Sequence, residues 1–117
     1  MKTALLKKKC TACEGGVPRL SKEEALGFLK ELRDWRLSTD ENSIFAEWVM
    51  KDFVSAVALI GRIAKLAEKE GHHPDLHLTG YRRLKIGLST HAIGGLSVND
   101  FILAAKIGRL PKKLKST

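Results

Sequence analysis

Apolar positions along this chain recur with two different periods, and the switches between them predict its elements. Leu26, Leu29 and Leu32, flanked by Ala25 and Phe28, recur every three to four residues, the spacing of one helix face. Ser21-Lys22-Glu23-Glu24 precedes them as a capping box, in which the Ser hydroxyl takes the amide of the third helical residue and Glu24 reaches back. A helix over 22–33 is expected. Trp35 and Leu37 then alternate with charge as a short strand, and Asp40-Glu41-Asn42 reads as a turn. From 43 to 50, Ile44, Ala46, Trp48 and Met50 share one face and Phe45, Glu47 and Val49 the other, a strand hairpinned to the one before. Asp52 is placed to cap a long helix from Phe53 to Glu70, whose expected buried stripe is Phe53, Val57, Ile60, Ala64 and Ala67, widened by Val54, Ala58 and Leu66. Gly71 suits its end, because glycine tolerates the left-handed cap conformation.

Leu76 to Thr79 predicts a short strand and Gly80 a turn. Leu84, Ile86 and Leu88 alternate with Lys85, Gly87 and Ser89 as a half-buried strand. Ser97-Val98-Asn99-Asp100 is a second cap, followed by a last helix through Phe101, Ala104, Ala105 and Ile107 that Pro111 stops. The order is helix, strand, strand, helix, strand, strand, helix. Short links make the strand pairs antiparallel hairpins, so the expected class is α+β: a four-stranded antiparallel sheet with three helices packed on one face. A sheet edge left open favours a homodimer or higher oligomer that pairs edges across a two-fold axis.

A length of 117 residues, 44% hydrophobic and 29% charged, fits one domain with one core. Residues 1–20 read as a loop-like arm, 21–110 as the domain and 111–117 as a basic tail. No apolar run approaches the roughly 20 residues of a membrane helix. The lysines of Met1 to Lys9 are followed by no apolar stretch, unlike a secretory signal, so a cytoplasmic location is expected. The net charge of +8 raises the question of nucleic acid. Its distribution argues against that partner: Lys7, Lys8, Lys9, Lys112, Lys113 and Lys115 sit at the ends, and Arg82-Arg83 is the interior basic pair. Cys10 and Cys13 could be half a zinc site, a redox pair or two reduced thiols; no second Cys pair completes a tetrahedral set.

The candidate chemistry centres on Gly71-His72-His73-Pro74. Imidazole gives and takes protons near neutral pH. His72 and His73 follow a helix C-terminus, which favours their charged form, and Pro74 restricts His73 to an extended backbone. His91 follows a strand, and alternation puts Thr90 on its inward face and His91 on the uncovered one, where a ligand could lie. Asp100 opens the last helix and either caps it or orients a histidine. His77 alternates with Leu76 and Leu78 and reads as a surface residue without chemistry. Metal is the rival reading, but adjacent histidines rarely ligate one ion together and the spacing matches no helical His-x-x-x-His motif.

Glu68-x-x-x-His72-His73-Pro74, Tyr81, Thr90-His91, Gly95-Leu96 and Asp100 together resemble the pterin-4a-carbinolamine dehydratase family. The resemblance covers 21 to 110, and the arm with Cys10-x-x-Cys13 and Gly15-Gly16 is similar to that of bacterial members. It implies a four-stranded antiparallel sheet with helices on one face, a dimer or tetramer, and no metal or separate cofactor. It also implies dehydration of a 4a-hydroxytetrahydropterin left by an aromatic amino-acid hydroxylase. The 4a-hydroxyl leaves as water and a quinonoid dihydropterin forms. By that resemblance His72, His73 and His91 are the catalytic set, with His72 and His91 as acid–base groups and His73 chiefly holding the pterin. Pro74, Asp75, Thr90 and Asp100 join His73 as substrate-binding positions. Leu76 stands where many members have tryptophan, and one extra residue separates Pro74 from Tyr81 relative to animal forms. Two alternatives also follow from the resemblance. One is an oligomeric regulatory module, since animal members bind a homeodomain transcription factor. The other is a pterin-binding protein of molybdenum-cofactor metabolism.

Overall fold

One antiparallel sheet organises the molecule. The computed structural model describes residues 19–115. Its elements are α1 (Lys22–Leu29), β1 (Arg36–Leu37), β2 (Ile44–Val49), α2 (Phe53–Glu70), β3 (Asp75–Thr79), β4 (Arg83–Leu88), a 3-10 turn (His91–Ile93) and α3 (Val98–Gly108). The strands lie in the order β1-β2-β4-β3, every pair antiparallel. Period-two alternation becomes rows across the sheet. Ala46, Ile86 and Leu76 are successive partners, as are Trp48, Leu84 and Leu78, and these rows join the core beneath the helices. The opposite face carries Phe45, Gly87 and Asp75 in one row and Glu47, Lys85 and His77 in the next. The expected α+β class, with three helices and a four-stranded antiparallel sheet, is the one found.

Both capping boxes form. Ser21 Oγ accepts from Glu24 N at 3.2 Å while Ser21 N donates to Glu24 at 2.8 Å. The first helix ends at Leu29, four residues short of the expected 33. Tight bonds from Glu31 N to Phe28 O and from Leu32 N to Leu29 O replace its last turn, and Leu32 still packs against the core.

The long helix departs more from expectation. Its buried residues are Ala56, Leu59, Ile63, Ala67 and Glu70, whereas Phe53, Val54 and Val57 are exposed by 53%, 75% and 48%. Ala58 and Ala64 are exposed as well. Nearly every residue from Phe53 to Ile63 is apolar, so periodicity leaves two candidate faces. The sheet takes the one with Leu59 and Ile63, each fully buried and each contributing about 1.5–3 kcal/mol. The other face stays open. Glu70, buried on the same stripe, meets Lys106 of α3 at 2.7 Å.

Residues 113–115 follow the end of β2, with Lys51 N donating to Lys113 O and Lys115 N to Val49 O, both at 2.9 Å. The cysteines Cys10 and Cys13 lie outside the described residues. Among the described residues no helix is long and apolar enough to cross a membrane.

Candidate active site

The C-terminus of α2 delivers the histidine pair. Gly71 adopts the left-handed conformation, φ 68°, and its amide and that of His72 both donate to Ala67 O, at 2.9 and 3.3 Å. This turn sends the two imidazoles into different surroundings. His72 is 4% exposed, and its Nε2 lies 2.6 Å from Asp100 Oδ1. His73 is exposed and pairs through Nε2 with Glu68 Oε2 on the last turns of α2.

Asp100 is fully buried. Its Oδ2 accepts from Thr90 Oγ1 at 2.9 Å and from the Ser97 amide at 3.0 Å. The Thr90 hydroxyl proton is therefore committed to the carboxylate. In the 2.8 Å contact between the Thr90 and Ser97 hydroxyls, Ser97 must be the donor. Facing an ionised carboxylate, His72 Nε2 is the donor of that pair. One side chain thus caps α3 as the acid of its box and anchors a histidine from another helix. Both roles that sequence left open for Asp100 are filled at once. The cost of burying the charge is met by three donors.

His91 is exposed and Thr90 buried, as expected, but His91 sits on a turn. β4 stops at Leu88, so the alternation that assigns His91 to the open sheet face does not reach it. Thr90 instead bridges to Gly95, with Thr90 N donating to Gly95 O at 2.8 Å, and His91 opens the short 3-10 turn held inside that bridge. Its side chain is exposed and has no hydrogen-bond partner among the described residues. The Arg19 side chain packs over Gly95, where a Cβ would fall 2.5 Å from its Nε and displace it. The chain that precedes α1 is held to this loop by Leu20 N donating to Leu96 O at 2.8 Å.

The hydrogen bonds connect His72, Asp100, Thr90 and Ser97. His73 and His91 are each one residue from a member of that network. Pro74 is half-buried beside the pair, and Asp75 begins β3 on the open sheet face. There Asp75, His77, Phe45, Lys85 and Gly87 border a shallow cleft of about 350 Å³. Thr90 and Asp100, expected to line a ligand, are buried with their polar atoms turned toward each other and toward His72. Leu76 pairs with Ile86 on the helix-covered face. Sequence reasoning assigned no site role to Ser97 or Glu68; the Ser-x-x-Asp box and the Glu68–His73 spacing were the available signals. Among the described residues no group of three or more His, Cys, Asp or Glu is arranged to hold a metal ion.

Residues 18–110 match the family model described as pterin 4 alpha carbinolamine dehydratase. The pterin-4-alpha-carbinolamine dehydratase 2, mitochondrial, of Arabidopsis thaliana is 43% identical over 106 residues, 88% of this chain and 57% of that protein. This chain therefore spans little more than half of the plant protein's length. A Nitrosomonas eutropha protein provisionally given the same dehydratase name is 44% identical over 91% of this chain and 92% of its own. Among solved structures, a transcriptional coactivator/pterin dehydratase from Brucella melitensis superposes with a TM-score of 0.72 at 30% identity, covering 77% of this chain and 95% of that one. A pterin dehydratase-like RuBisCO assembly factor of the alpha-carboxysome shares the fold, with a TM-score of 0.54 at 21% identity.

Proposed function

The chain belongs to the pterin-4a-carbinolamine dehydratase family, and from that premise we propose that it is a hydro-lyase that dehydrates 4a-hydroxytetrahydropterins by histidine acid–base catalysis. The C4a–O bond breaks as a proton is delivered to the leaving hydroxyl, which departs as water. A ring N–H proton is lost and the quinonoid dihydropterin forms. One observation carries the histidine assignment. Asp100 binds His72 on one oxygen and Thr90 on the other, so the segments His72-His73-Pro74 and Thr90-His91 are tied through one buried carboxylate.

In this reading Asp100 holds the His72 ring through Nε2, and the ring exchanges a proton with substrate. His91, exposed and without a side-chain partner among the described residues, is the second acid–base group. His73 is the chief pterin contact, with Pro74 and Asp75 completing that wall. Thr90 and Asp100 act from behind, fixing the ring of His72. Positioned acid–base groups contribute about 10²–10⁴-fold. The test generates the 4a-hydroxypterin with an aromatic amino-acid hydroxylase and follows its spectral decay. His72→Ala and His91→Ala should each lose most of the acceleration while staying folded. Wild-type rates in both would sink the assignment.

We further read the protein as a cytoplasmic homo-oligomer that recycles the hydroxylase's pterin. The exposed apolar face of α2, with Phe53, Val54 and Val57, supports association with a second copy. Val54→Glu should lower the mass in solution without lowering the dehydration rate per chain. The Brucella protein's coactivator title favours a second reading, a regulatory module using the same helix face. In that case the histidines would be dispensable for partner binding.

A further inference from the structure

A second cleft, about 370 Å³, is lined by no histidine. It opens at the C-terminal end of α3, away from Asp100 in the first turn, between the α1–β1 connection and the chain after α3. Its walls are unusual for this chain. Trp35 and Trp48, the only two tryptophans in the sequence, meet edge to face at 6.1 Å and 88°. Ala104, Ala105 and Gly108 leave the helix side of the cleft unfilled, and a Cβ added at Gly108 would meet nothing within 4 Å.

The rim is cationic. Arg33, Arg109 and Lys112 line the cleft, against a single acid, Asp34. Asp34 already accepts from the Trp48 indole at 3.3 Å. Arg33 and Arg109 have no ion pair among the described residues. The Lys112 ammonium lies 4.9 Å from the centre of the Trp48 ring and donates to Gly108 O and Leu110 O. Burial pushes the Lys112 pKa down, opposed by Asp34. The Trp35 indole N–H is buried with no acceptor among the described residues.

We propose that this cleft binds a small planar organic anion, an aromatic ring bearing one carboxylate, with the ring against the two tryptophans and the small residues of α3 and the carboxylate among Arg33, Arg109 and Lys112. An apolar body needs the aromatic walls, and a single negative charge offsets the surplus of cations. A bare inorganic anion would leave the apolar walls uncovered, and a neutral ring would leave the cations unpaired. The site is separate from the histidine chemistry and does not depend on it.

The two tryptophans make the test direct, because every indole N–H resonance of the full chain comes from this cleft. With 2-naphthoate as probe, both indole resonances of ¹⁵N-labelled protein should shift saturably. The uncharged 2-naphthamide should bind about tenfold more weakly, the loss of one charge-assisted contact, and phosphate should shift neither. Arg109→Glu, at an exposed position, should weaken naphthoate by about tenfold or more. Gly108→Leu should abolish binding while pterin dehydration is unchanged. Equal affinity for the amide, shifts caused by phosphate, or naphthoate binding unaffected by Arg109→Glu would each overturn the proposal. Because the charge reversal at Arg109 sits at the surface, it decides the matter even where Gly108→Leu does not fold.

Discussion

His72 and His73 share a peptide bond and almost nothing else. Each imidazole Nε2 lies against a carboxylate oxygen, at 2.6 Å for Asp100 and 2.5 Å for Glu68. The first pair is sealed, with side chains 5% and 0% exposed; the second is open, at 62% and 76%. Near-identical geometry therefore carries different weight. A solvated pair is worth about 0–1 kcal/mol, because water competes for both partners. Removing one partner of a buried pair costs about 3–5 kcal/mol, because the other is left uncompensated. The buried pair builds the site, and the exposed one can exchange partners with a ligand.

Breaking the buried side should give the largest effect. Asp100→Ala strands His72, Thr90 and the Ser97 amide together, and should lower the denaturation free energy by about 3 kcal/mol and the dehydration rate by about 10²-fold or more. A urea titration beside the rate assay checks this. A loss below about 1 kcal/mol would place Asp100 with the surface pairs. His91→Ala separates chemistry from stability: the rate should fall by about 10²-fold while the urea midpoint barely moves, since surface changes stay within about 0.5 kcal/mol. Glu68→Ala tests the open pair. It should leave stability within about 1 kcal/mol and raise KM more than it lowers kcat, with the difference shrinking at high salt. A collapse in kcat would mean that Glu68 governs His73 as firmly as Asp100 governs His72. The smallest effect is in acid. Hydrogen bonding by Ser55 holds the Asp52 carboxyl below its usual range, so its stabilisation is complete above that range and disappears as pH falls through the lowered value. Wild type and Asp52→Asn should therefore differ most at neutral pH and converge on acidification.

Local signals were legible where a short stretch decides the outcome. The boxes at Ser21 and Ser97, the cap at Gly71 and the period-two strands all depend on neighbours within about four residues. What escaped depends on distance. The core face of α2 was ambiguous because both its faces are apolar, and the choice is made by the sheet that packs on it. Parity rightly has Thr90 buried and His91 exposed, but the turn that carries His91 was not legible, because it depends on the Thr90–Gly95 bridge that follows the end of the ladder. The ion pair between Glu70 and Lys106 joins two helices and has no local signature. The histidines, Thr90 and Asp100 could be named as a set, yet the bond from Asp100 to His72 spans 28 residues and becomes visible only on folding.

Because the Asp100 carboxylate closes the α3 cap while gripping His72, the N-terminus of that helix and the histidine site cannot open separately. Fraying of the first turn would release the imidazole in the same event. Amide exchange at Ser97 and Asp100 should then share one protection factor with the His72 amide, one cooperative unit spanning two helices. Mutational drift at the helix start is thereby coupled to His72, so the first turn of α3 evolves under the constraint of a side chain that follows another helix.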